Sequence, residues 1–171
     1  MIEDFVNKLK LLRPNEGKLT SEGYSRQRID RIYSNEFELN KKNNENCKFL
    51  LDYFIKNYDL NNFRLQNLFF TNNIETDIIQ GYHIFGFIEG GYIFYENTTR
   101  MVYTAYAEDI VGTTNLLCNN DKQFFDILLI VGEYSSKSYE GIDIEEYELY
   151  ENYINRCQMI CQEGYFEPLF I

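Results

Sequence analysis

The spacing of apolar side chains changes period near residue 60, and that change commits the chain to a mixed fold. Before it, Cys47, Leu50, Leu51, Phe54, Ile55 and Tyr58 recur at three- and four-residue steps, which predicts an amphipathic helix over 46–58. After it, Leu65–Phe70, His83–Ile88, Tyr92–Tyr95 and Met101–Ala107 are short, aromatic or β-branched, and broken by Asn, Gly and Thr. These predict strands. Gly90-Gly91 and Asn97-Thr98-Thr99-Arg100 suit tight hairpin connections, so the strands are expected to run as an antiparallel meander.

The helical period returns afterwards. Asn119-Asn120-Asp121 offers N-cap candidates before Phe124, Phe125, Leu128, Leu129 and Gly132, predicting a helix over about 121–132. Ile144, Tyr147, Tyr150, Ile154, Cys157 and Cys161 predict a final helix over about 143–162, closed by Gly164. At the start, Ile2, Phe5, Val6, Leu9 and Leu12 predict a helix over 2–12, ended by Pro14, Asn15 and Gly17. Residues 14–44 are polar and read as a loop with a short helix near Ile29–Tyr33. The expected fold class is α+β, with helices packed on one face of a central antiparallel sheet. At 171 residues, one domain over 1–171 is expected.

Composition removes several classes. Aromatics make up 17% of the residues, as 15 Tyr and 14 Phe without a Trp, so a wholly disordered chain is excluded. The acidic start Met1-Ile2-Glu3-Asp4-Phe5 lacks the basic and apolar regions of a signal peptide. The longest apolar run, Ile127-Leu128-Leu129-Ile130-Val131, is far too short to span a membrane. A cytoplasmic protein without membrane contact is therefore expected, with Cys47, Cys118, Cys157 and Cys161 as free thiols.

Catalytic templates find little to use. The only histidine, His83, lies in the aromatic strand Gly81-Tyr82-His83-Ile84-Phe85 and reads as a packed side chain. Cys157 and Cys161 sit on the apolar seam of the last helix and read as core rather than metal ligands. Gly86-Phe87-Ile88-Glu89-Gly90-Gly91 fits no phosphate-binding glycine pattern. Tyr92, Tyr95, Tyr103 and Tyr106 resemble a base-stacking sheet but lack flanking cations, so they are expected to pack against helices. No enzyme, cofactor or metal is expected.

Charge is the remaining signal. The net charge is −11, from 27 acidic and 16 basic side chains, which disfavours nucleic acid as a partner. Residues 1–64 hold 12 basic and 10 acidic groups, and residues 65–171 hold 4 basic and 17 acidic. The acidity is densest from Glu133 to Glu151, where seven carboxylates face only Lys137. Such a stretch is either a solvated face or a patch that steers a basic partner. Arg26, Arg28 and Arg31 are expected to pair with acidic groups of their own chain.

Residues 81–170 resemble the SUKH superfamily of Smi1/Knr-like immunity proteins. Ile84-Phe85-Gly86-Phe87-Ile88-Glu89-Gly90-Gly91-Tyr92-Ile93-Phe94-Tyr95 is similar to that family's glycine-punctuated strand pair, and Arg100-Met101-Val102-Tyr103 to the strand that follows. Asn115-Leu116-Leu117-Cys118-Asn119-Asn120-Asp121-Lys122-Gln123-Phe124-Phe125-Asp126-Ile127-Leu128 resembles the entry to the helix after the sheet. With the ending Glu163-Gly164-Tyr165, the likeness is nearest to the fourth immunity subfamily. The N-terminal third departs from the largest subfamily, lacking its proline-led helix, and the family's frequent tryptophan is missing.

The resemblance implies an immunity protein that binds and blocks a secreted bacterial toxin, often a nuclease or deaminase. It carries over no catalytic residue. The sequence itself is compatible with a monomer and with a homodimer formed through the tyrosine-rich final helix. The expected contact surface is an acidic rim of Glu108, Asp109, Glu140, Asp143, Glu145, Glu146 and Glu148, with Tyr139 and Tyr147 as aromatic anchors. The alternative expectation is a phage- or plasmid-encoded anti-defence protein that inhibits or sequesters a host nuclease or signal nucleotide.

Overall fold

The computed structural model describes residues 1–75, 81–106, 112, 114–141 and 146–170. Its helices are α1 (Ile2–Leu11), α2 (Glu16–Ser21), α3 (Arg26–Ile32), α4 (Leu50–Asn57), α5 (Asp121–Tyr139) and α6 (Glu146–Ile160). A π-helical turn, Tyr33–Phe37, continues α3, and a 3₁₀ turn, Glu167–Leu169, follows α6. Strands β1 (Arg64–Leu65), β2 (Leu68–Glu75), β3 (Tyr82–Ile88), β4 (Gly91–Glu96), β5 (Val102–Tyr106) and β6 (Asn115–Cys118) form one sheet. The sheet is antiparallel throughout, and its spatial order is the chain order. The fold is thus α+β on a six-stranded meander.

The short connections follow from local chemistry. Gly90 turns β3 into β4 at φ 72°, where a side chain would be strained. Gly91 must also be bare, because a Cβ there would stand 2.3 Å from the Ala105 carbonyl oxygen on β5. Arg100, at φ 64°, and Gln66, at φ 51°, take the left-handed conformation without being glycine. The Gln66 bend divides the single strand expected over Leu65–Phe70 into β1 and β2, paired as a two-residue hairpin.

Other departures have similar causes. The segment expected as a loop with one short helix holds α2, α3 and the π-helical turn. Asn15 caps α2 by accepting from the Lys18 N–H at 3.1 Å, and Ser25 caps α3 by accepting from that of Arg28 at 3.4 Å. α4 begins at Leu50 rather than residue 46. α5 is capped by Asn120 as expected, accepting from the Gln123 N–H at 3.0 Å, but it runs through Gly132 to Tyr139. Gly132 is a packing glycine: a Cβ there would come 2.9 Å from Leu9 Cδ1, so the bare backbone lets α1 lie close. β6 is an additional strand of only four residues, too short to show a strand period, and it is fixed by pairing with β5.

The main core lies between one sheet face and helices α1, α4, α5 and α6. Phe54 is its hub, with the rings of Phe5, Tyr58, Phe63, Phe70 and Phe125 between 5.2 and 6.3 Å away. Each such pair adds about 0.5–1.5 kcal/mol beyond the area it buries. Cys157 and Cys161 are buried in this core, as their spacing predicts, and all four cysteines are free thiols.

The opposite sheet face carries a small cluster of its own, Ile84, Phe94 and Ala105, ringed by Tyr82, Tyr92 and Tyr103. Of the four strand tyrosines expected against helices, Tyr95 is buried in the main core, Tyr92 and Tyr103 flank this second cluster, and Tyr106 is 49% exposed. Tyr92 and Tyr95 are three apart, and a strand sends odd-spaced residues to opposite faces. Among the described residues, no helix is long and apolar enough to cross a membrane.

Candidate functional site

The residues of the expected acidic rim divide into three groups. Glu108, Asp109, Asp143 and Glu145 lie outside the described residues, and Glu146 is described only as the first residue of α6. Tyr139 and Glu140, at the end of α5, are engaged within the chain. The Tyr139 hydroxyl donates to Glu36 Oε1 at 2.5 Å, and its ring meets Tyr24 edge-on. Burial, then the Glu36 carboxylate, raises its pKa above the usual phenol range. Glu140 accepts from the Asn15 N–H at 2.9 Å and from Lys18 Nζ at 3.0 Å, tying α5 to α2. The Asn15 hydrogen bond, then Lys18 and Lys137, hold its pKa below the usual carboxylate range against the effect of burial.

Tyr147 and Glu148 form the third group. Both are exposed in the first turn of α6, Tyr147 by 71%. Carboxylates there are favoured by the unpaired N–H groups of the helix start. Glu151 follows one turn later, half-buried and with no ion pair among the described residues. The only cation of α6, Arg156, is held by Glu133 at 2.8 Å.

The acidic surface keeps its charge because the local cations are already used. Residues 65–171 contain Arg100, Lys122, Lys137 and Arg156 as their only basic side chains. Each has a carboxylate partner: Asp52 and Asp121 for Arg100, Asp126 for Lys122, Glu140 for Lys137, and Glu133 for Arg156.

The sequence reading missed two buried charge networks. In the first, the Arg100 guanidinium lies between the rings of Phe49 and Tyr95, at 4.3 and 4.0 Å. It donates to Asp52 Oδ1 at 3.0 Å, and the Tyr95 hydroxyl donates to the same oxygen at 2.8 Å. Arg100 Nε stands 3.5 Å from Asp121 Oδ1 without a hydrogen bond, so this contact is purely ionic. Asp121 Oδ2 accepts from the Leu51 N–H at 3.1 Å. The β4–β5 hairpin, the start of α4 and the start of α5 are thereby fastened together.

In the second network, Glu36 is 2% exposed in the π-helical turn. It accepts from Ser135 at 2.6 Å and from Tyr139, with Arg64 Nε 3.5 Å away. No short-range pattern announces either network, because each joins residues far apart in the chain.

His83 stacks on Tyr95, with centroids 5.2 Å apart and planes 11° from parallel, and its Nδ1 is buried without a hydrogen-bond partner. Burial, opposed chiefly by Asp52, lowers its pKa and so favours the neutral ring. Burial pushes the Cys157 thiol up to about 12, and that of Cys118 up as well, which suppresses thiolate chemistry at neutral pH. Among the described residues, no group of three or more His, Cys, Asp or Glu is placed to hold a metal ion. No protein-family model matches the chain, and neither does any curated protein or solved structure.

Proposed function

We propose that this chain is a bacterial immunity protein of the SUKH type, which neutralises a cognate toxin by stoichiometric, non-covalent binding. The toxin is a nuclease or deaminase with a basic cleft, and the immunity protein occupies that cleft with carboxylates where phosphates would otherwise sit. One observation carries the reading: all four cations of residues 65–171 are already paired, so Glu148 and Glu151 beside the exposed Tyr147 keep an uncompensated negative field. Tyr147 supplies the aromatic contact that such interfaces favour.

The test is co-expression with the toxin encoded by the neighbouring gene. Glu148→Lys with Glu151→Lys is expected to slow association at least about tenfold at low salt and to flatten its salt dependence. Tyr147→Ala is expected to speed dissociation instead. Protection and salt dependence that survive the double charge reversal unchanged would remove α6 from the interface.

A further inference from the structure

Of the three arginines expected to pair internally, only Arg26 does so, with Glu16 and with Asp30 at 3.0 Å. Arg28 and Arg31 are exposed, and neither has a carboxylate partner among the described residues. Lys10, Lys42 and Lys48 also have no carboxylate partner among the described residues, but Arg28 and Arg31 are the two unpaired arginines. Arg28 and Arg31 are three apart on α3, which places them on one helix face. They turn that face towards Arg64 of β1. Together with Ser25, Gln27, Ile32 and Tyr139, the three arginines line a cavity of about 340 Å³.

Two of the three guanidinium groups are held from behind. The Arg28 carbon sits 4.4 Å from the centroid of the Tyr24 ring, a cation–π contact that limits its rotation. Arg64 directs Nε at Glu36, which leaves its two terminal nitrogens without a partner among the described residues. No carboxylate is among the residues that line the cavity, and Glu36 touches two that do, Tyr139 and Arg64. Ser135, Tyr139 and Arg64 already occupy the Glu36 carboxylate, so it anchors Arg64 and offsets only one of the three positive charges. The volume lies in the range of small-ligand sites, about 300–1,000 Å³.

We propose that this cavity binds the phosphate group of a small anionic ligand. The planar donor forks of Arg28, Arg31 and Arg64 suit a tetrahedral oxyanion. The ligand is either free inorganic phosphate or a phosphorylated small molecule. The site is separate from the α6 surface, so toxin protection and phosphate binding can fail independently.

Calorimetric titration of the full chain at low ionic strength decides the matter, with inorganic phosphate, adenosine 5′-monophosphate and adenosine as probes. Both phosphate-bearing probes are expected to bind saturably and adenosine not to bind. Tighter binding of the nucleotide than of inorganic phosphate identifies a phosphorylated molecule as the source, and equal binding identifies the free anion. Arg31→Gln is expected to weaken binding at least about tenfold, and Arg28→Gln with Arg31→Gln to abolish it. Arg26→Gln, whose guanidinium is already consumed, is expected to leave binding unchanged. Because these side chains are exposed, unchanged thermal unfolding of the variants is the folding control. The proposal is overturned by absence of saturable binding of both phosphate probes up to about 10 mM, by binding indifferent to the double substitution, or by adenosine binding as tightly as its monophosphate.

Discussion

Single residues in this protein are defined by what burial does to their charge. His83 is neutral by environment: folding lowers its pKa below the ordinary 6.5, chiefly through desolvation. The unfolded chain therefore takes up a proton near pH 6.5 that the folded chain still refuses. The stability this supplies is complete above pH 6.5 and is lost as pH falls through the folded value. Glu133 and Glu140 act in the same direction but lower down, because their ordinary value is 4.5 and folding depresses it. Thermal unfolding is accordingly expected to show a first loss of stability just below pH 6.5, which His83→Gln removes, and a second below about 4.5, which it leaves in place. A first loss that persists in His83→Gln would assign it to another group. The histidine's packed place in a strand was legible from its aromatic neighbours, whereas its stacking partner and buried Nδ1 were not.

At the scale of elements, what was legible is what depends on neighbours in the chain. The amphipathic period located α1, α4, α5 and α6, and turn residues located the β3–β4 and β4–β5 hairpins. What escaped depends on contacts made across the fold. Gly132 reads as a helix end until Leu9 is seen resting on it. The π-helical turn exists where Glu36 reaches Ser135 and Tyr139 on α5. The fate of the α3 arginines depended on which carboxylates the tertiary fold brought near. Arg100 shows how strongly such a contact can bind elements together. Arg100→Leu is expected to cost about 3–5 kcal/mol in urea unfolding, because Asp52 and the buried Asp121 lose their shared cation. Arg100→Lys is expected to recover only part of this, since an ammonium cannot fill the stacked slot between Phe49 and Tyr95. Full stability in Arg100→Leu would reduce the network to a surface contact.

For the whole molecule, the uneven charge is the property most directly readable from the chain, and the structure gives it a layout. Glu148 and Glu151 stand on α6 without an ion pair among the described residues, whereas Arg28, Arg31 and Arg64 line the cavity between α3 and β1, so charges of opposite sign gather on different surfaces. The meander has a kinetic corollary. Every strand pairs with the next in sequence, so the sheet assembles by closing short loops. The helix layer is the reverse: Phe5 from α1 meets Phe125 from α5 at 5.0 Å, joining segments from opposite parts of the chain. Local closure precedes long-range closure where nothing else intervenes, so α1 is the element expected to dock last. In stopped-flow measurements Phe5→Leu should accordingly accelerate unfolding while leaving the refolding rate nearly unchanged, and a slowed refolding limb would place α1 in the nucleus instead.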